Sequence, residues 1–291
     1  MIIVISGPTC LGKSETALNV ALAFNAEIIN GDAFQCYKEM DIGVAKPPKE
    51  YFDKVPHHLF SFVNPDEPYS IMVYQKNLRK TVDEILSKEK NVVIVGGSGL
   101  YIRSALYDYE FKEEDAVDMS SYEELTNEEL HQKLKEIDPE DAKKIHPNNR
   151  KRLLRALAIY SSQNEVKSDI IAKQNHEPIY KDTYFFVRDL PREELYKRIN
   201  KRVDKMIELG LEKEVKTLYE KYGDKPQSMQ AIGYKEFISY FKGESSLEDV
   251  IDKIKQHTRN YAKRQMTYIR HQFPTRFYKN DDELMEMIKN V

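Results

Sequence analysis

Gly7-Pro8-Thr9-Cys10-Leu11-Gly12-Lys13-Ser14 has the types and spacing of a loop that holds phosphate, G-x-x-x-x-G-K-[ST]. Glycines let backbone N–H groups wrap an anion, and the helix that begins after the loop adds its partial positive end. Lys13 supplies a point charge, and the Ser14 hydroxyl is placed to ligate Mg²⁺. Asp32 is the one acid close behind an early apolar run, suited either to assist Mg²⁺ or to act as a general base. A second glycine loop, Gly96-Gly97-Ser98-Gly99, follows a later apolar run where a Walker B acid would be expected, and Ser98 offers a hydroxyl for a leaving oxygen. The chemistry is phosphate binding, but these residues do not by themselves name a nucleoside triphosphate.

Positioning such groups takes a particular scaffold. Ile2–Ser6, Glu27–Asn30 and Asn91–Val95 are Val- and Ile-rich runs separated by helical stretches, which predicts a parallel sheet with crossover helices. A further strand is expected at Thr183–Asp189. Between Tyr109 and Tyr180 the pattern is helical instead, with pieces at Asn127–Ile137, Pro139–Ile145 and Asn149–Ser162 and with Thr126 and Asp138 as caps. Long helices are expected at Arg192–Leu209, Leu211–Tyr222 and Leu247–Arg270, the last ending before Pro274. The expected architecture is α/β: a P-loop NTPase-like parallel sheet core, residues 1–108 and 181–291, interrupted by a helical insertion at 109–180.

Composition narrows the setting. The chain has 291 residues, 41% hydrophobic and 32% charged, with a net charge of −3, so a uniformly basic nucleic-acid coat is excluded. Two cysteines, Cys10 and Cys36, are too few for a disulfide framework or a four-thiolate zinc site. No apolar run approaches the roughly 20 residues a bilayer needs, and the first residues lack a basic leader. The expectation is a cytoplasmic protein with no membrane. Charge is nonetheless segregated. Glu110–Asp141 carries 13 acidic and 3 basic residues, Ala142–Arg155 carries 6 basic and no acidic, and Lys253–Lys279 carries 8 basic and no acidic. Arg259, Tyr261, Lys263, Arg264, Tyr268 and Arg270 interleave cations with aromatics, a composition suited to RNA with exposed bases. Adjacent His57 and His58 point opposite ways on an extended chain, so a shared metal is not expected. Read from the residues alone, a small-molecule kinase, an RNA-modifying transferase and a non-catalytic RNA-binding module all stay open.

The motifs resemble those of the tRNA dimethylallyltransferases, over nearly the whole chain. The resemblance is carried by Gly7–Ser14, by Asp32-Ala33-Phe34-Gln35-Cys36-Tyr37 leading to Met40–Pro47, and by Pro56-His57-His58-Leu59. It continues in Gly96–Tyr101, His146-Pro147-Asn148, Gln230–Glu236 and Thr258–Gln265. It implies transfer of a dimethylallyl group from dimethylallyl diphosphate to N6 of the adenosine 3′ of the anticodon. It also implies Mg²⁺, a P-loop that grips diphosphate rather than ATP, and a helical insertion that closes over the anticodon stem-loop; no protein partner is implied. By the same resemblance the aspartate base falls on Asp32, the hydroxyl near the leaving diphosphate on Ser98, and a diphosphate-binding arginine on Arg202. The tRNA-contacting stretches fall on Asp32, Ala33, Phe34 and Gln35, and on Lys151, Arg152, Leu153, Leu154 and Arg155. Ala33, Ser98, Asn149 and Tyr268 depart from the usual serine, threonine, aspartate and tryptophan, and none removes an assigned catalytic group.

Overall fold

The computed structural model describes residues 1–111, 119–163, 166–172 and 176–291, so part of the acidic segment, residues 112–118, lies outside the described residues. Six strands form one all-parallel sheet: β1 (Ile2–Ser6), β2 (Ala26–Asn30), β3 (His57–His58), β4 (Asn91–Gly96), β5 (Thr183–Arg188) and β6 (Thr275–Tyr278). Their order is β3-β2-β4-β1-β5-β6. Fully buried β1 and β2 explain why these strands read as continuous apolar runs rather than as alternation. Register aligns the strand ends: Ser6 pairs with Gly96 and Asn30 with Val95, so three strands finish side by side. Loops leaving β1, β2 and β4 therefore emerge at one sheet edge, the edge where open α/β sheets bind ligands.

Before the insertion the chain forms α1 (Lys13–Ala23), α2 (Lys49–Lys54), α3 (Ile71–Leu86) and α4 (Gly99–Leu106). The next helices are α5 (Ser120–Glu123), α6 (Asn127–Ile137), α7 (Pro139–Ala142), α8 (Arg150–Gln163) and α9 (Lys167–Ala172). Then come α10 (Arg192–Glu208), α11 (Leu211–Tyr222), α12 (Phe237–Phe241), α13 (Leu247–Gln272) and α14 (Asp281–Lys289). The chain divides into two compact units, Met1–Leu106 with Ile179–Val291, and Tyr107–Pro178. None of the described helices is long and apolar enough to cross a membrane.

In the sheet unit, Ile3, Ile5, Val93 and Val95 pack with Ala17, Val20 and Ala21 of α1 and with Leu284 and Ile288 of α14. Fully burying an aliphatic side chain of this size stabilises by roughly 1.5–3 kcal/mol. The helical unit has its own core of Leu130, Leu134, Ile145, Leu153 and Leu157. Thr126 caps α6 in a reciprocal box with Glu129, and Asp138 accepts from the Asp141 N–H to start α7. Within this unit the described residues hold no strand, only an isolated bridge between Tyr107 and Pro178.

Three expectations shift. The helix expected over Pro139–Ile145 ends at Ala142, although the Ile145 N–H still bonds to the Asp141 carbonyl at 3.1 Å. The long C-terminal helix runs two residues past Arg270 and stops at Phe273, whose extended backbone is what a following proline requires. Strands β3 and β6 are edge strands that the sequence does not announce. One is two residues long, and the other has its two middle residues exposed.

Candidate active site

The phosphate loop leaves β1 at Ser6, whose hydroxyl donates to the Gly96 carbonyl at 3.1 Å and ties two glycine loops together. Gly12 caps α1 at φ 78°, a left-handed conformation that places the helix N-terminus against the loop. Lys13 curls back so that Nζ donates to the Pro8 carbonyl at 2.7 Å. Burial lowers its pKa to about 8. The Asp32 carboxylate pulls the other way, and the Arg202 charge adds to the lowering.

Asp32 sits just past the end of β2, and Asn30 fixes its backbone from both sides. Asn30 Oδ1 accepts from the Asp32 N–H at 2.8 Å, while Nδ2 donates to the Asp32 carbonyl at 2.9 Å and to the Leu59 carbonyl at 3.0 Å. The Asp32 carboxylate accepts from the Phe34 N–H at 2.9 Å. Burial raises its pKa above the ordinary aspartate value, against the pull of Phe34 N–H, Lys13 and Arg202. This is a held, half-buried acid in the cavity wall rather than a freely solvated turn residue. Ser98 Oγ accepts from the Ala33 N–H at 3.0 Å, so the second glycine loop braces the turn that carries Asp32.

A cavity of about 470 Å³ opens at this sheet edge. Lys13, Ser14, Asp32, Gln35 and Arg202 supply its polar border, and Val44, Pro47, Ile199 and Ile232 are among its apolar neighbours. Thr9, Cys10, Gly12 and Phe34 border it as well, whereas Gly7, Pro8, Leu11, Ala33 and Ser98 do not. Pro8 and Ser98 are buried, and Leu11 packs with Leu195, Ile199 and Ala262. One end of the cavity thus gathers Lys13, Arg202 and the α1 N-terminus, with the exposed Glu15 at its border, and the rest is largely apolar with the Asp32 carboxylate in its wall.

The basic residues are presented unequally. In the helical unit, Lys151, Arg152 and Arg155 are exposed, but Leu153 is fully buried in that unit's core and Leu154 packs against it. On α13, Lys263 and Arg264 are exposed and Arg264 lies over the Tyr261 ring, while Arg259 is committed to Asn200 Oδ1 at 2.7 Å. His58 bonds Glu27 at 2.7 Å, which Lys90 also pairs at 2.8 Å, and His57 bonds the Val55 carbonyl. Neither histidine borders the cavity. No group of three metal-ligating side chains converges among the described residues.

Two groups at this edge carry no assigned role in the sequence reading, although Gln265 closes the Thr258–Gln265 motif. Glu214 of α11 accepts from the N–H groups of Asp41, Ile42 and Gly43 and from the Tyr234 hydroxyl at 2.6 Å. The wall beyond Gly43 is tied to the Asp32 turn by Gln35, which donates to the Val44 and Ala45 carbonyls, and Lys46 donates to the Tyr37 carbonyl and to Asp41. Gln265 of α13 donates to the Gly97 carbonyl at 2.9 Å, an approach so close that a Cβ on Gly97 would fall 2.1 Å from the Gln265 amide nitrogen. A signal for Gln265 existed: it shares a helical stripe with buried Ala262 and Ile269, where an apolar residue is the norm.

Residues 35–272 match the family model described as IPP transferase. This chain belongs to the IPP transferase family. Among its curated relatives, the tRNA dimethylallyltransferase of Macrococcus caseolyticus is 44% identical over 99% of this chain and 93% of its own. That of Oceanobacillus iheyensis is 42% identical over 99% and 95%. Solved structures are similar as well, two of them as follows. The tRNA delta(2)-isopentenylpyrophosphate transferase of Staphylococcus epidermidis has a TM-score of 0.74 at 40% identity, covering 99% of this chain and 97% of that one. A eukaryotic dimethylallyltransferase acting on tRNA has a TM-score of 0.84 at 28% identity, covering 99% and 77%. The IPP transferase family thus supplies an activity to which the cradle, the half-buried acid and the apolar space can be matched.

Proposed function

We propose that this protein moves a dimethylallyl group from dimethylallyl diphosphate to N6 of the adenosine 3′ of the anticodon in tRNA, releasing diphosphate. The observation that carries the reading is one cavity joining the cations Lys13 and Arg202 to the backbone-held Asp32 carboxylate, with largely apolar walls between. The N6–carbon bond forms as the allylic carbon–oxygen bond breaks, the electron pair leaves with diphosphate, and Asp32 takes the N6 proton. Lys13, Arg202, the loop N–H groups and the α1 N-terminus hold the departing charge, while Ser98, buried behind the cavity wall, acts by bracing the turn that carries Asp32. Apolar walls suit the prenyl chain and keep water from a carbon that is losing its leaving group.

Ser14 offers one hydroxyl oxygen at the cradle. So sparse a donor set fits Mg²⁺ arriving with its diphosphate, because that ion keeps several waters and takes few protein ligands. When bound there it would neutralise charge on the diphosphate. For tRNA, the reading assigns the substrate-facing turn Asp32, Ala33, Phe34 and Gln35 and the exposed cations Lys151, Arg152, Arg155, Lys263 and Arg264. Leu153, Leu154 and Arg259 serve by shaping the helices that carry those cations. An RNA substrate and two free cysteines support a cytoplasmic setting.

The test is prenyl transfer with labelled dimethylallyl diphosphate, Mg²⁺ and total tRNA. Label recovered as N6-alkylated adenosine is the expected result, and label confined to free diphosphate or water-derived alcohol would refute the reading.

A further inference from the structure

Gln265 is 5% exposed, borders the cavity that holds Asp32, and has a side-chain amide used only in part. Its nitrogen donates to the Gly97 carbonyl at 2.9 Å. A carbonyl oxygen can only accept, so this contact fixes which way the amide is turned. The other end, Oε1, is buried and has no hydrogen-bond partner. Buried acceptors are nearly always paired, and an orphan one beside a substrate cavity needs an explanation. Beside it, burial pushes the Tyr261 phenol up to about 12 and the Asp32 charge adds, against hydrogen bonds from Ser98 and from the nitrogen end of the Gln265 amide, so the phenol stays protonated and Oε1 is still the unpaired end.

The reaction calls for a second acceptor. An adenine amino group carries two hydrogens, and alkylation removes one. Asp32 can accept the hydrogen that leaves, but the one that stays also points away from the ring and must be received inside an enclosed site. We propose that Gln265 Oε1 accepts the N6 hydrogen that is not transferred, making Gln265 a specificity-determining contact for a 6-amino purine. This rests on the functional reading above. Nitrogen–carbon bond formation, carbon–oxygen cleavage and proton transfer to Asp32 are unchanged by it; Gln265 neither gains nor loses a proton. Two acceptors on two hydrogens also fix the plane of the amino group, and so the direction of its lone pair toward the allylic carbon.

The test compares two anticodon stem-loops, one with adenosine at the target position and one with purine riboside, which lacks only the amino group. Binding to the full chain loaded with inorganic diphosphate and Mg²⁺ is read by fluorescence anisotropy. The wild-type chain is expected to prefer the adenosine loop by roughly tenfold, about one hydrogen bond to a buried acceptor. Gln265→Met, which keeps length and packing, should narrow that preference to within roughly threefold. Gln265→Leu repeats the arm should the methionine variant melt early. An unchanged preference in a variant that melts like wild type overturns the proposal. So does equal weakening toward both loops, which would mean that Gln265 merely supports the Gly97 turn. The absence of any wild-type preference overturns it without requiring a variant. Prenyl transfer to the adenosine loop is run alongside. No transfer defeats the functional reading itself, whereas transfer with an unchanged preference defeats only this inference.

Discussion

Lys13 and Asp32 share one cavity, and burial pushes each toward its neutral form, the lysine down to about 8 and the aspartate upward. A lysine of pKa about 8 is roughly nine-tenths protonated at pH 7 and one-tenth at pH 9. Diphosphate needs the charged form, so donor affinity is expected to fall as pH rises through 8. Titration of donor binding from pH 7 to 9 checks this, and Lys13→Ala should bind weakly with that dependence gone. The opposite limb belongs to Asp32. Only its ionised form accepts a proton, so the acid limb of kcat/KM should lie above the ordinary aspartate value near 4, measured with the donor saturating. Asp32→Asn keeps the acceptor for the Phe34 N–H but removes the base, so the limb should vanish along with most of the turnover.

At the scale of elements, the site depends on strands that end level and on the loops that leave them. Ile2–Ser6 and Asn91–Gly96 are legible because buried parallel strands read as unbroken Val and Ile runs, and the P-loop because its spacing is dictated by an anion. The α6 and α7 starts are legible in Thr126 and Asp138, since capping chemistry is local. Strand β6 is not legible, because Arg276 and Phe277 are exposed and pairing comes only from β5. Glu214 cannot be read either: its three backbone partners lie 171 to 173 residues earlier, and nothing local marks a glutamate on this helix as an anchor. Its four accepted hydrogen bonds imply a consequence. Glu214→Ala should raise the donor KM at least fivefold by loosening the Gly43–Pro47 wall, with a smaller effect on kcat in steady-state assays. Thr126→Ala should cost about 1 kcal/mol in chemical denaturation without altering donor binding, because its cap lies in the helical unit.

Across the whole molecule, charge is arranged rather than abundant. A net charge of −3 argues against a generally sticky RNA coat, yet Ala142–Arg155 and Lys253–Lys279 are free of acids. The structure refines what those counts mean. Leu153 and Arg259 turn inward, leaving Lys151, Arg152, Arg155, Lys263 and Arg264 to face solvent. If these meet phosphates, each substitution by alanine should weaken tRNA binding and reduce the salt slope by about 1 while leaving diphosphate binding unchanged. Filter binding of tRNA from 50 to 300 mM salt checks it, and a slope that is the same as wild type would remove that residue from the RNA surface.

Asp32 is proposed as the base in a cavity whose cationic loop is expected to hold diphosphate without it. Single-turnover prenyl transfer by wild-type and Asp32→Ala chains, with both substrates saturating, tests this most directly. The expected result is a loss of roughly 10²–10⁴-fold in the transfer rate, with diphosphate affinity within about threefold of wild type. A variant that transfers within about tenfold of wild type would contradict it.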